Sequence, residues 1–349
     1  MINECHTAIT ADSWRPKLAR LKDVQLLPCQ LVLLTATLPP SQVGQLCKAL
    51  LVPTATVVRA RCTQRPGAQY IVLSCQRSEL RERATQQAQQ MIEEAQSCTA
   101  LQDRGVGRLA AGVAVKGVVY CRTKQLCEQL ATALGCHAYH AGVASRTEIL
   151  QEWRQAGGLI VCTSALGVGV DIPGVQFTLH VEQPWSMVDF VQESGRAREG
   201  GKAVILVVQQ RQRQQQQQRS FSPSQSRVEE EEEEEIKEDS KAMEAFIQAP
   251  GCRRVAMSSY MDGLQVNCSE LAEMIAPTAV VACDYCDGQA SVTLAMPALC
   301  RPGELQQEHQ GLLSSGQIAW QEDSRLHAIQ ERVLCRKLTE LTQDVCAYC

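Results

Sequence analysis

The chain predicts an α/β fold built on a parallel sheet covered by helices on both faces. Three observations point there. Short apolar runs at Gln69–Cys75, Gly117–Cys121, Leu159–Cys162, Phe177–Val181 and Ala203–Val208 alternate with helix-like segments. Those runs are near-continuously apolar, as strands buried on both faces are. Aromatic residues are only 4% of the chain while hydrophobic residues are 45%, so the core rests on Leu, Val, Ile and Ala.

The elements follow in order. Leu31–Ala36 is apolar and runs into Thr37-Leu38-Pro39-Pro40, which predicts a buried strand and its C-terminal loop. Residues 78–98, Lys124–Leu134 and Ser145–Gln155 predict helices between the later strands. Residues 209–242 hold a Gln/Arg run, a Ser/Pro patch and a Glu block, and predict a disordered linker because they offer little apolar area to bury. A second folded segment starts near residue 243 and carries Cys252, Cys268, Cys283 and Cys286. Residues 303–345 read as one or two amphipathic helices.

Charge and cysteine usage bound the function. The net charge is −4, but residues 229–239 hold nine acids and one Lys, a local −8 that leaves +4 for the other 338 residues. Such a mildly basic remainder is compatible with nucleic acid. There is no 18-residue apolar stretch and no signal-like start, so no membrane span is expected. With 18 Cys, several in core strands, the expected setting is a reducing compartment, nucleus or cytosol, with metal binding favoured over disulfides for clustered Cys.

The densest chemistry lies at 157–201. A strand enters a Gly-rich turn, Thr163-Ser164-Ala165-Leu166-Gly167-Val168-Gly169-Val170-Asp171, and Gln192-Glu193-Ser194-Gly195-Arg196-Ala197-Arg198 follows. Glycines permit close backbone approach, and hydroxyls and amides suit phosphates. Upstream stand Asn3-Glu4-Cys5-His6, Trp14-Arg15-Pro16, Thr35-Ala36-Thr37, Val118–Arg122 with Lys124, and Tyr139-His140-Ala141-Gly142. No Gly-x-x-x-x-Gly-Lys-Ser/Thr phosphate loop occurs in the sequence.

Together these segments resemble the motifs of RecQ-like superfamily-two ATP-dependent DNA helicases, in a Cys-rich subgroup. The resemblance covers roughly residues 2–290 and implies RecA-like motor lobes. Residues 1–70 would be the C-terminal part of the first lobe and 71–208 a complete second lobe. A linker (209–242), a zinc-binding module (243–290) and a helical tail (291–349) would follow. The resemblance begins partway through the first lobe, so a truncated or degenerate helicase is expected.

It also implies ATP and magnesium (Mg2+) as cofactors and single-stranded or branched DNA as partner. Unwinding would run 3′ to 5′, in the nucleus, in DNA repair and recombination. Glu4, Gln192, Arg196 and Arg198 would face the nucleotide as catalytic residues, with Asn3, Gly169 and Asp171 binding it. Trp14, Arg15, Thr35, Thr37, Thr163 and Ser164 would contact DNA. Cys252, Cys268, Cys283 and Cys286 would hold a structural zinc (Zn2+) as four thiolates. Free core thiols, or Cys300 replacing one ligand, are the alternatives.

The missing phosphate loop and two departures favour a second reading, a non-catalytic nucleic-acid-binding or interaction remnant. Asn3 stands where the family has the magnesium-binding Asp, and a neutral amide is the poorer ligand. The distal Arg of the Gln-x-x-Gly-Arg-x-x-Arg pattern is one residue early, at Arg198, with Glu199 in its place. On a helix that shift turns a side chain by about 100°.

Overall fold

The computed structural model describes Ile2, residues 4–10, 21, 23, 31–52, 55–60, 62–102, 114–166, 172–197, 200–209, 227–275 and 279–293. These lie almost wholly in one compact unit, residues 1–26 and 31–290. A second unit, 27–30 and 291–349, contributes only 291–293 to the described set, so the expected helical tail lies outside it beyond that point.

The described elements, in chain order, begin with α1 (Thr7–Thr10) and α2 (Val43–Ala49). The α/β body is β1 (Gln69–Cys75), α3 (Leu80–Gln102), β2 (Lys116–Cys121), α4 (Lys124–Leu134), β3 (His137–Tyr139), α5 (Arg146–Ala156), β4 (Gly158–Cys162), β5 (Val175–Val181), α6 (Met187–Ser194) and β6 (Lys202–Val208). Four helices follow: α7 (Arg227–Gln248), α8 (Arg253–Met261), α9 (Cys268–Met274) and α10 (Asp284–Thr293).

The six strands form one sheet of order β1-β6-β5-β2-β4-β3, and every pairing is parallel. This is the predicted parallel sheet with helices on both faces. Successive residues of each strand face opposite layers. Val119, Cys121, Leu179 and Val204 pack under α3 and α4, while Tyr70, Ala203 and Ile205 pack under α6 and the C-terminal helices. Helix α4 shows how the sequence fixes such an element. Thr123 caps its N-terminus by accepting from the Leu126 amide at 3.2 Å, Cys127, Leu130 and Ala131 form the buried stripe, and Gly135 ends it at φ 62°. Gly117 in β2 leaves room for the Phe177 ring, which a Cβ would meet at 2.2 Å.

Two expectations are corrected. Leu31–Ala36 is not a sheet strand: among the described residues its only ladder contact is a parallel bridge from Leu33 to Ile2. A strand needs neighbours on its edges, and here the segment packs mainly into a small cluster of Cys5, Leu38, Leu46 and Leu50. The linker expected over 209–242 is helical from Arg227 onward. Glu is a good helix former and acids favour a helix's first turns, while buried Asp239, Met243 and Phe246 anchor the other end.

Candidate nucleotide-facing network and four-cysteine site

The structure brings four of the predicted site residues into one network. His6 Nδ1 lies 2.7 Å from Thr35 Oγ1 and 3.4 Å from the Glu4 carboxylate. The Gln192 amide nitrogen donates to Thr37 Oγ1 at 2.8 Å and also meets His6 Nε2. The Thr37 amide donates to Thr35 Oγ1 at 3.2 Å. Burial pushes the His6 imidazole down to about 4, so it is neutral near pH 7. With Gln192 donating to Nε2, the proton sits on Nδ1 and points at Thr35. His6 is the centre of the network, yet the sequence offered it only as the last letter of a box.

Helix α6 holds Gln192 in place, and its N-terminus is capped twice. Ser186 accepts from the Asp189 amide at 3.0 Å, and Asp239 of α7 accepts from the Met187 and Val188 amides at 2.8 and 3.2 Å. Asp239 was hidden in an acidic run 52 residues away from Met187. Just past α6, Arg196 reaches Tyr120 at the carboxyl end of β2. Burial raises the Tyr120 phenol well above its ordinary value, and the Arg196 charge offsets only part of that.

Of the other predicted residues, Thr163 accepts from the Ala165 amide at 3.4 Å, and Ser164 opens the short turn after β4. Asn3, Trp14, Arg15, Gly169, Asp171 and Arg198 lie outside the described residues.

The Sγ atoms of Cys252, Cys268, Cys283 and Cys286 all lie within 4.8 Å of one another. Cys252 and Cys268 are 3.6 Å apart, and Cys283 and Cys252 are 3.8 Å apart. A tetrahedral zinc with Zn–S near 2.3 Å sets its sulfurs about 3.8 Å apart, so the set fits such an ion. The long gap between Cys268 and Cys283 is closed by folding. Cys252 caps α8, Cys268 opens α9, and Cys283 and Cys286 bracket the start of α10. Three helix N-termini therefore converge on the sulfurs and favour thiolates. Hydrogen bonds from Cys252 and Cys268 hold the Cys283 thiol well below its ordinary value.

The two arginines after Cys252 tie this site to the sheet. Arg254 is fully buried. It donates to Gln64 Oε1 and to the carbonyls of Arg65, Pro66, Ala68 and Val281 at 2.8–3.2 Å. Its guanidinium stands 5.0 Å over the Tyr70 ring. Arg253 pairs with Asp284 at 3.0 Å and donates to the last carbonyls of α7. Asp284 in turn accepts from the Val72 amide on edge strand β1 at 2.9 Å. The sequence around Cys252 gives no hint of these partners.

Residues 110–201 match the helicase conserved C-terminal domain. ATP-dependent DNA helicase Q5 of Mus musculus is 32% identical over 199 residues, covering 53% of this chain and 19% of that protein. ATP-dependent DNA helicase hus2/rqh1 of Schizosaccharomyces pombe is 42% identical over 96 residues, 25% of this chain and 7% of that protein. The structure of S. cerevisiae Dbp5 bound to RNA and ADP BeF3 aligns with a TM-score of 0.48 at 15% identity, covering 80% of this chain and 62% of that one.

Proposed function

We propose that this chain is part of a RecQ-like superfamily-two helicase and supplies the DNA-engaging second lobe of an ATP-dependent 3′–5′ DNA helicase, a reading supported by the matched C-terminal helicase domain and the RecQ-like relatives. It spans 19% of the length of the Mus musculus relative, so the activity of a whole helicase is part of the proposal. The observation that carries this reading is the His6–Thr35–Thr37–Gln192 network. It joins the acidic box, the Thr-Ala-Thr segment and the α6 motif through direct hydrogen bonds. A link of that kind lets a change at the nucleotide face be felt by threonines assigned to DNA.

The roles follow the residues. Gln192, Glu4 and Arg196 serve the nucleotide and its magnesium, with Arg198, Asn3, Gly169 and Asp171 assigned by resemblance alone. Thr35, Thr37, Thr163 and Ser164, with Trp14 and Arg15, serve DNA. The four Cys hold one structural zinc, which would lock three helix starts together. The residues of this chain do not complete an ATP site. No phosphate loop or its Lys is in the sequence, so nothing here cradles β- and γ-phosphates.

That gap, with Asn3 and the displaced Arg198, supports the second reading, a lobe that binds nucleic acid without hydrolysing ATP. A turnover assay with single-stranded DNA separates the two, and negligible hydrolysis by this chain is expected. Steady hydrolysis abolished by Arg196→Ala would overturn the non-catalytic reading. Fluorescence anisotropy at two salt concentrations tests the DNA assignment itself. Weak, salt-sensitive, sequence-tolerant binding is expected. Tight, salt-insensitive, sequence-selective binding would place the protein in another class.

A further inference from the structure

The sheet has a topological switch point that none of the assigned residues explains. After β2 the chain leaves through α4, which packs on the face carrying Val119, Leu179 and Val204. After β5, the neighbour of β2, it leaves through α6, which packs on the opposite face with Tyr70 and Ile205. The crevice between the carboxyl ends of two such strands is where open parallel sheets bind ligands. A pocket lies there, lined by Tyr120 of β2 and Arg122 just past it, by His180 of β5 and Glu182 just past it, and by Ser164, Trp185, Asp189 and Glu193.

The lining has a definite chemistry. Trp185 is 58% exposed, and the Arg122 guanidinium sits 3.5 Å from its ring centroid. That cation–π contact holds the indole in one orientation. The floor is the His180 ring, stacked on Tyr120 at 4.9 Å and 98% buried. Its Nε2 lies 3.0 Å from Glu193, while its buried Nδ1 has no hydrogen-bond partner among the described residues. Glu182, at the rim, turns the chain with a left-handed φ of 73°. The pocket thus combines an aromatic plate with carboxylates, of which Glu193 faces His180 and Glu182 pairs with the exposed Arg77 at 3.5 Å.

We propose that the mouth of this crevice binds an unpaired nucleobase, stacked on the exposed Trp185 and held by its amino group against the Asp189 and Glu182 carboxylates. Adenine and cytosine carry an amino donor suited to those acceptors, whereas thymine would bring carbonyls against them. Base–aromatic stacking is tolerant of sequence, so the carboxylates supply the preference. Ser164, already assigned to DNA, lines the same pocket, which puts the crevice beside the expected strand path. The inference rests on the DNA reading above when the base belongs to a strand. A free nucleotide is the other source of the same chemistry.

The test follows Trp185 fluorescence and anisotropy with oligo-dA, oligo-dC, oligo-dT, an abasic oligomer of equal length and adenosine monophosphate. Oligo-dA and oligo-dC are expected to quench Trp185 and to bind several-fold tighter than oligo-dT. Trp185→Ala should weaken oligo-dA binding by about tenfold and leave the abasic oligomer unaffected. Trp185→Phe should restore most of the binding, and Trp185→Phe also identifies which quenching belongs to this ring. Equal oligo-dA affinity in wild type and Trp185→Ala would overturn the pocket while leaving the DNA reading intact. Quenching by adenosine monophosphate without binding of any oligomer would keep the nucleobase pocket and overturn the DNA reading. No response to any ligand would overturn both.

Discussion

Gln192 of α6 donates to Thr37 Oγ1 at 2.8 Å, joining residues 155 positions apart. The same nitrogen meets His6 Nε2, so both of its hydrogens are engaged by the N-terminal segment. The Gln side chain is therefore a rivet between that segment and the sheet. Its energetic weight should be that of two partly buried neutral hydrogen bonds.

A double-mutant cycle of Gln192→Ala and Thr37→Val is the direct measurement. A coupling of about 1 kcal/mol is expected from urea unfolding. Additive effects would mean the contact carries no stability.

His6 predicts a pH dependence with a definite sign. Its folded pKa, about 4, is lowered from 6.5 by burial. The folded state thus favours neutral imidazole. The stability this contributes is fully present above pH 6.5 and is lost as pH falls toward 4. The loss amounts to at most about 3 kcal/mol. Asp189 and Asp239 are shifted up by burial and respond to acid in the opposite sense, so the comparison must be with His6→Asn. Wild type should lose its advantage over that variant between pH 7 and pH 4.5, read by urea midpoints. An advantage independent of pH would exclude a buried neutral His6.

Arg254 should tolerate no replacement. Arg254→Met takes a donor from five acceptors, of which the Arg65 and Pro66 carbonyls keep the Ala68 and Val281 amides while Gln64 Oε1 and the Ala68 and Val281 carbonyls lose their charged partner, and a loss of more than about 3 kcal/mol is expected. Arg254→Lys should recover little, because an ammonium cannot reproduce the fork that spans Pro66, Ala68 and Val281. A Lys variant with the wild-type unfolding midpoint would show that charge alone suffices there.

The four-cysteine site should bind one zinc, lost in Cys268→Ser. Sequence alone predicts that chelation melts 243–290 and spares 100–208. The structure narrows that expectation, because Met243, Phe246, Met257 and Met261 share a core with Tyr70 of β1 and with Met187 and Phe190 of α6. Hydrogen exchange after chelation should therefore rise in α8–α10, β1 and α6, with β2, β4 and α4 still protected. Unchanged protection in β1 and α6 would mean the two parts are energetically separate. Retention of zinc by Cys268→Ser would remove Cys268 from the ligand set.

What the sequence determined by itself is local and periodic. The runs at 69–75, 117–121, 159–162, 177–181 and 203–208 became strands because buried parallel strands must be apolar on both faces. Lys124–Leu134 became a helix with those bounds because Thr123 and Gly135 encode its ends. The same holds for the residue types of the box, the Thr-Ala-Thr segment, the α6 motif and the cysteines. Tertiary structure decided what depends on distant partners. Leu31–Ala36 has strand composition, but without flanking strands in the described residues it makes a single bridge. The acidic run looked unable to fold, but Asp239 found two unsatisfied amides at the start of α6. The neighbours of His6, Arg254 and Trp185 in sequence did not name their partners. Their roles arise from hydrogen-bonding groups and rings brought to them from 29 to 190 positions away for His6–Thr35 and Arg254–Gln64, and across the switch point for Arg122 and Trp185. A buried polar group must find its partner wherever the fold supplies one, and spacing along the chain does not record which it will be.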